Sequence, residues 1–95
     1  GDRPPSVLAG LAHSLLVQGR MRDAMMLAQE AWSRHPGSAQ TAALLARMNA
    51  AMGNYRDALS WIEEAVRLNP ESSDYREMKK YISGRTRAAP RQSPL

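Results

Sequence analysis

From Ala39 to Met52 the chain is almost entirely Ala, Leu and Met, with Gln40, Thr41, Arg47 and Asn49 as its polar interruptions. These apolar residues are strong helix formers, and a helix that is apolar all round is normally buried all round. The flanks fit a helix too. Pro36-Gly37-Ser38 is a stop followed by a good N-cap, because the Ser hydroxyl can accept from free N–H groups of the first turn. Gly53 supplies the left-handed conformation that ends a helix cheaply. Asn54 is then placed to cap a next helix, with Asp57 near the positive end of its dipole, running to about Leu68 and stopping at Asn69-Pro70. The chain before Pro36 follows the same plan: roughly 5–18, Gly19, 21–34, then His35-Pro36. A last helix is expected from Ser72 or Ser73. Tyr75, Met78 and Ile82 lie on one face of it, and Arg76, Glu77, Lys79 and Lys80 on the other. The pattern predicts an all-α chain of five helices, near 5–18, 21–34, 38–52, 55–68 and 73–83. Turns this short force paired helices to pack antiparallel.

Sliding the chain against itself by 34 residues shows why the two halves share a plan. Leu11-Ala12 meets Leu45-Ala46, Gly19 meets Gly53, and Arg22-Asp23-Ala24 meets Arg56-Asp57-Ala58. Ala9 meets Ala43, Glu30-Ala31 meets Glu64-Ala65, Pro36 meets Pro70, and Ser38 meets Ser72. That is eleven identities between 5–38 and 39–72, well above what composition alone gives. Small residues recur where the helices of a hairpin should cross: Ala12 with Ala24, and Ala46 with Ala58. Ala31 and Ala65 stand where the second helix of one unit should meet the first helix of the next. A larger side chain at such a crossing costs about 1–3 kcal/mol. Beyond Ser72 no further identity follows in this register. Tyr75, Met78 and Ile82 match Ala42, Leu45 and Asn49 if the turn after Pro70 is one residue shorter.

This period, with paired helices, small residues at the crossings and a closing proline, resembles the tetratricopeptide repeat. The second unit carries the most specific stretch, Gly53-Asn54-Tyr55-Arg56-Asp57-Ala58-Leu59, closing with Ala65 and Asn69-Pro70. Ala42 stands where the family often has Trp, and Met21 replaces the aromatic that Tyr55 supplies. The resemblance implies a short right-handed solenoid of stacked hairpins. Its organisation would be a flexible N-terminus (1–4), repeats at 5–38 and 39–72, a capping helix (73–84) and a disordered basic tail (85–95). A terminal helix with a wet outer face is what a repeat array needs.

Charge and chemistry narrow the function. Residues 5–70 carry six Arg and five acids, whereas residues 71–95 carry six basic groups against three acids, so the net charge of +4 sits mostly at the C-terminal end. Such a tail can touch nucleic acid or an acidic membrane, though the near-neutral repeat body argues against that and favours a solvated linker. There is no Cys, which suits cytoplasm or periplasm alike. No apolar run approaches the ~20 residues of a membrane span, and no signal-peptide pattern is visible. His13 and His35 have no acid at ligand spacing, and His13 and Ser14, as helix neighbours, point too far apart to form a nucleophile–base pair. With no glycine-rich phosphate loop and no metal-ligand cluster, the expectation is a protein without catalytic, cofactor or metal sites. Glu63-Glu64 read as helix-surface acids pairing, for example, Glu63 with Arg67. Met48 and Met52 read as core, one of Met25 and Met26 as outward-facing, Trp32 as core and Trp61 as half exposed.

The resemblance also implies where a partner would sit. In this family the first helix of each repeat lines a concave groove that holds a peptide or helix. Here that side would present Ser6, Ala9, His13, Leu16 and Val17 from the first unit, and Gln40, Ala43, Leu44, Arg47, Ala50 and Ala51 from the second. Ala43, Leu44, Ala50 and Ala51 would form either an exposed, shallow strip or more core beneath the closing helix. One subset of the family grips a C-terminal carboxylate with Lys, Asn and Arg. The matching places here are Ala9, His13, Leu44, Asp74 and Met78 (or Arg76 and Lys79 with the shorter turn), so that clamp is absent or badly incomplete. The favoured function is a scaffold binding a protein or peptide partner, within a larger assembly that the Ala- and Arg-rich composition ascribes to a bacterial source. The alternatives are self-assembly through the apolar first-helix strip, and a nucleic-acid or membrane-surface binder acting through the tail.

Overall fold

A computed structural model of the protein describes residues 5–88, and the side chains of residues 10–86. It contains α1 (Pro5–Val17), α2 (Met21–Arg34), α3 (Ala39–Ala51), α4 (Tyr55–Leu68) and α5 (Ser73–Ala88). No strand occurs among the described residues. Helices α1 and α2 form one hairpin and α3 and α4 the next; α3 also lies against α1 and α2, and α5 closes on α4. The expected all-α stack of hairpins is the fold.

Both hairpins turn on a left-handed glycine, Gly19 at φ +83° and Gly53 at φ +82°. In the first, the Gly19 N–H donates to Leu16 O (3.0 Å) and the Arg20 N–H to Leu15 O (2.8 Å). In the second, Gly53 donates to Ala50 O (3.0 Å) and Asn54 to Asn49 O (2.8 Å). This paired bonding satisfies carbonyls left over at a helix C-terminus and fixes the reversal of the chain. Ser38 caps α3 as expected, its Oγ accepting from the Thr41 N–H at 3.2 Å. Asn54 stands at the N-cap position of α4, its C=O accepting from the Ala58 N–H at 2.9 Å, but its side chain makes no capping bond.

The beginning of α5 decides against a shorter turn after Pro70. The Tyr75 N–H donates to Ser72 Oγ at 3.2 Å, the same bond one period after Ser38. The 34-residue register therefore continues into α5. Ile82 then corresponds to Met48, and both are fully buried. The far end of α5 differs more. A disordered tail was expected from Arg85, but the helix runs through Gly84 to Ala88. The Arg85 guanidinium lies over the Tyr55 and Tyr81 rings, 5.4 and 5.8 Å from their centroids, and donates to Tyr55 Oη at 3.2 Å. Thr86 Oγ1 donates to Ile82 O at 2.8 Å and lies 3.3 Å from Tyr55 O. These contacts tie the last turn to the start of α4 and give it a reason to stay helical. The rest of the expected tail, 89–95, and the expected flexible start, 1–4, lie outside the described residues.

All six alanines expected at helix crossings are fully buried: Ala12, Ala24, Ala31, Ala46, Ala58 and Ala65. The core has two parts. Ala12, Ala24 and Ala28 gather with Leu44, Leu45 and Met48, while Ala42, Ala43, Ala46, Ala58, Ile62, Ala65 and Ile82 form the second part. Trp32 and Trp61 pack against both and meet each other edge to face, centroids 5.2 Å apart at 82°. Both are half-buried, so Trp32 is less enclosed than expected and Trp61 is occupied by packing. Met48 is core, but Met52 is 44% exposed, because it follows the last turn of α3 in the connection to α4. Met26 is the outward-facing methionine of its pair. Arg67 pairs with Glu64 rather than Glu63, and that hydrogen bond holds the Glu64 carboxyl below the usual carboxylate range.

Two stability predictions follow from these contacts. Ala58→Leu should lower unfolding free energy by about 1–3 kcal/mol, since the crossing has no room for the added carbons; a denaturation midpoint equal to wild type would contradict the packing. Ser38→Ala should cost about 1 kcal/mol, whereas Asn54→Ala should be near neutral because no capping bond is lost. Equal losses in the two variants would contradict the cap assignment.

Candidate functional site

The first helices of the hairpins, with the start of α5, enclose an open hollow of about 310 Å³. Its polar lining is His13 from α1, Gln40 and Arg47 from α3, and Tyr75 from α5. Its apolar lining is Gly10, Ala43 and Leu44. His13 and Arg47 occupy equivalent places in the two units, one period apart, so repetition itself brings them to the same concavity. Gln40 enters from the first turn of α3, positioned by the Ser38 cap.

The sequence-expected groove residues divide into groups. Five line the hollow together: His13, Gln40, Ala43, Leu44 and Arg47. Val17 is 72% exposed, Ala51 is exposed and Ala50 half-buried, and none of the three lines the hollow. Leu16 packs on the core. The side chains of Ser6 and Ala9 lie outside the described residues.

An exposed strip through Ala43 and Leu44 is corrected by their burial, 4% and 5% exposed. Helix α3 is the central element and is touched on most sides. Leu44 packs with Ala12 and Ala24 of the first hairpin, and Ala43 belongs to the cluster that Ile82 closes, with Tyr75 and Met78 packed against it. These two residues are therefore core that also forms the floor of the hollow. The rim is different: His13, Gln40 and Arg47 are exposed. Among the described residues Arg47 makes no ion pair with Asp74 or Glu77, the partners it would have in a purely surface role.

Gly10 and Tyr75 were not among the expected groove residues. Gly10 is the repeat equivalent of Leu44, so the periodicity held that signal. Tyr75 was assigned to the packing face of α5; it is half-buried and does both, touching the core and bordering the hollow. Among the described residues no three His, Cys, Asp or Glu side chains stand close enough together to hold a metal ion, and no helix is long and apolar enough to cross a membrane.

A family model described as tetratricopeptide repeat matches residues 6–80. The chain belongs to the tetratricopeptide-repeat family. The match begins in the first turn of α1 and ends within α5, so it takes in both hairpins and the first half of the closing helix. No curated protein matches the chain. Tetratricopeptide repeats serve in general as protein–protein interaction modules, and the stacked body of this chain is one.

Floor and rim should separate in a stability measurement. Leu44→Ala should cost about 2–5 kcal/mol, as for other buried leucines, and Arg47→Ala should fall within about 0.5 kcal/mol of wild type. A strongly destabilised Arg47→Ala would show that the arginine is part of the packing rather than a free rim group.

Proposed function

We propose that this chain is a scaffold that binds a peptide or helix of a partner protein in the hollow between α1, α3 and the start of α5. The observation that supports it is the convergence of repeat-equivalent polar groups, His13 and Arg47, over a floor of Ala43, Leu44 and Gly10. A recognition surface needs both parts. An apolar floor with low side chains lets a partner backbone come close, and a few placed polar groups fix its direction. Arg47 is the strongest of these groups, because its planar guanidinium pairs with carboxylates or carbonyls in a fixed geometry. None of these roles calls for a cofactor, a metal or a small-molecule substrate.

Self-association has an observation of its own. Helix α1 carries no charged residue and leaves Leu11 39% and Val17 72% exposed, a face that a second copy can cover without electrostatic cost. Concentration-dependent sedimentation reads this directly, and Val17→Glu should abolish any dimer seen.

Groove use is best tested by steric block. Gly10 lines the hollow and a Cβ added there meets no atom within 4 Å, so Gly10→Trp should project its ring into the hollow. Peptides selected by the wild-type chain from a random display library should lose binding to Gly10→Trp. They should retain it with Met26→Glu, on the exposed side of α2. Circular dichroism verifies that both variants are folded. Undiminished binding to folded Gly10→Trp would contradict groove use.

A further inference from the structure

Acidic residues are distributed unevenly among the helices. Helices α1 and α3 contain none, and their single charged side chain between them is Arg47. The acids of the two hairpins lie on the second helices: Asp23 and Glu30 on α2, and Asp57, Glu63 and Glu64 on α4. On α5 the acids Asp74 and Glu77 stop in the first turns. From Met78 to Leu95 there are five basic residues (Lys79, Lys80, Arg85, Arg87 and Arg91) and no acid. The net charge of +4 is thus not spread evenly: the hollow and the sequence running on from Met78 are free of acids, while α2 and α4 carry acids beside their arginines.

The hollow repeats this bias at close range. Its four polar groups, His13, Gln40, Arg47 and Tyr75, can all donate hydrogen bonds, and none is an acid. Asp74 and Glu77 neither line the hollow nor pair with Arg47. A group entering the hollow therefore meets donors and one permanent positive charge over an apolar floor. Lysine or arginine would be repelled there, and a neutral side chain would leave Arg47 without a charged partner.

We infer that the groove selects an acidic segment of its partner, with one Asp or Glu side chain placed against Arg47 and its neighbouring donors. This rests on the groove reading above and gives the partner its chemistry. Recognition is of side-chain carboxylates within the segment rather than of a chain end. Of the positions that would grip a terminal carboxylate, Leu44 is floor, Asp74 carries the wrong charge and Met78 packs on the core.

The test uses a random-peptide display library panned on the wild-type chain, with binders sorted by whether Gly10→Trp removes them. The groove-dependent binders should be enriched in Asp and Glu over the input library. A representative peptide should weaken about tenfold or more on Arg47→Glu, as when a hydrogen bond to a charged group is lost. Replacing the matched peptide carboxylate by Lys should restore part of that loss in the Arg47→Glu protein and not in wild type. Groove-dependent binders without acidic enrichment, or with affinity indifferent to Arg47→Glu, overturn the acidic preference and leave groove use standing. If no binder is sensitive to Gly10→Trp, groove use falls and the preference falls with it. Acidic binders that ignore Gly10→Trp also overturn it, and place the attraction outside the hollow.

Discussion

Two helices can approach only as closely as the side chains between them allow, and everything in this small chain follows from keeping that distance short. At each crossing an alanine faces the neighbouring helix, and all six are fully buried. A methyl group there lets the long residues beside the crossing interdigitate. Leu45, Met48, Ile62 and Ile82 are the large side chains that fill the space so defined. No disulfide adds to this packing, since the sequence contains no cysteine. The turns serve the same constraint. Left-handed Gly19 and Gly53 reverse the chain within a few residues, so each hairpin closes with its alanines already opposite one another.

The central position of α3 connects packing to recognition. Because α1, α2 and α4 all touch it, and α5 shares its cluster, nearly every residue from Thr41 to Asn49 is buried. Arg47 is the exception, and it projects where the hollow opens. Core and candidate binding floor are here the same residues, Ala43 and Leu44, viewed from opposite sides. Such a floor is rigid, since altering it would disturb both core clusters. Adaptation to a partner is left to the rim, where His13, Gln40 and Arg47 are exposed and free to change rotamer.

Much of this was legible in the sequence because repetition doubles every signal. The period alone locates the crossings, the glycine turns and the convergence of His13 with Arg47. What escaped depended on contacts distant in sequence. The helical continuation through Gly84 rests on Arg85 and Thr86 meeting Tyr55, about thirty residues away, which no local propensity reports. Asn54 has the right residue type and the right place for a cap, but its side chain makes no bond to the first turn of α4. The burial of Ala43 and Leu44 hinged on how closely α1 and α5 flank α3. Periodicity says which residues face the next helix, but not how fully that helix covers them.

The claim on which the rest turns is that the α1–α3 concavity is the working face of the molecule. Backbone amide resonances, followed by two-dimensional NMR while a peptide selected by the wild-type chain is added, test it most directly. The account predicts that the largest shifts fall on the amides around Gly10, His13, Gln40, Arg47 and Tyr75, with α2 and the outer side of α4 nearly unmoved. Shifts concentrated on α2 and α4, around Met26 or Trp61, would contradict it.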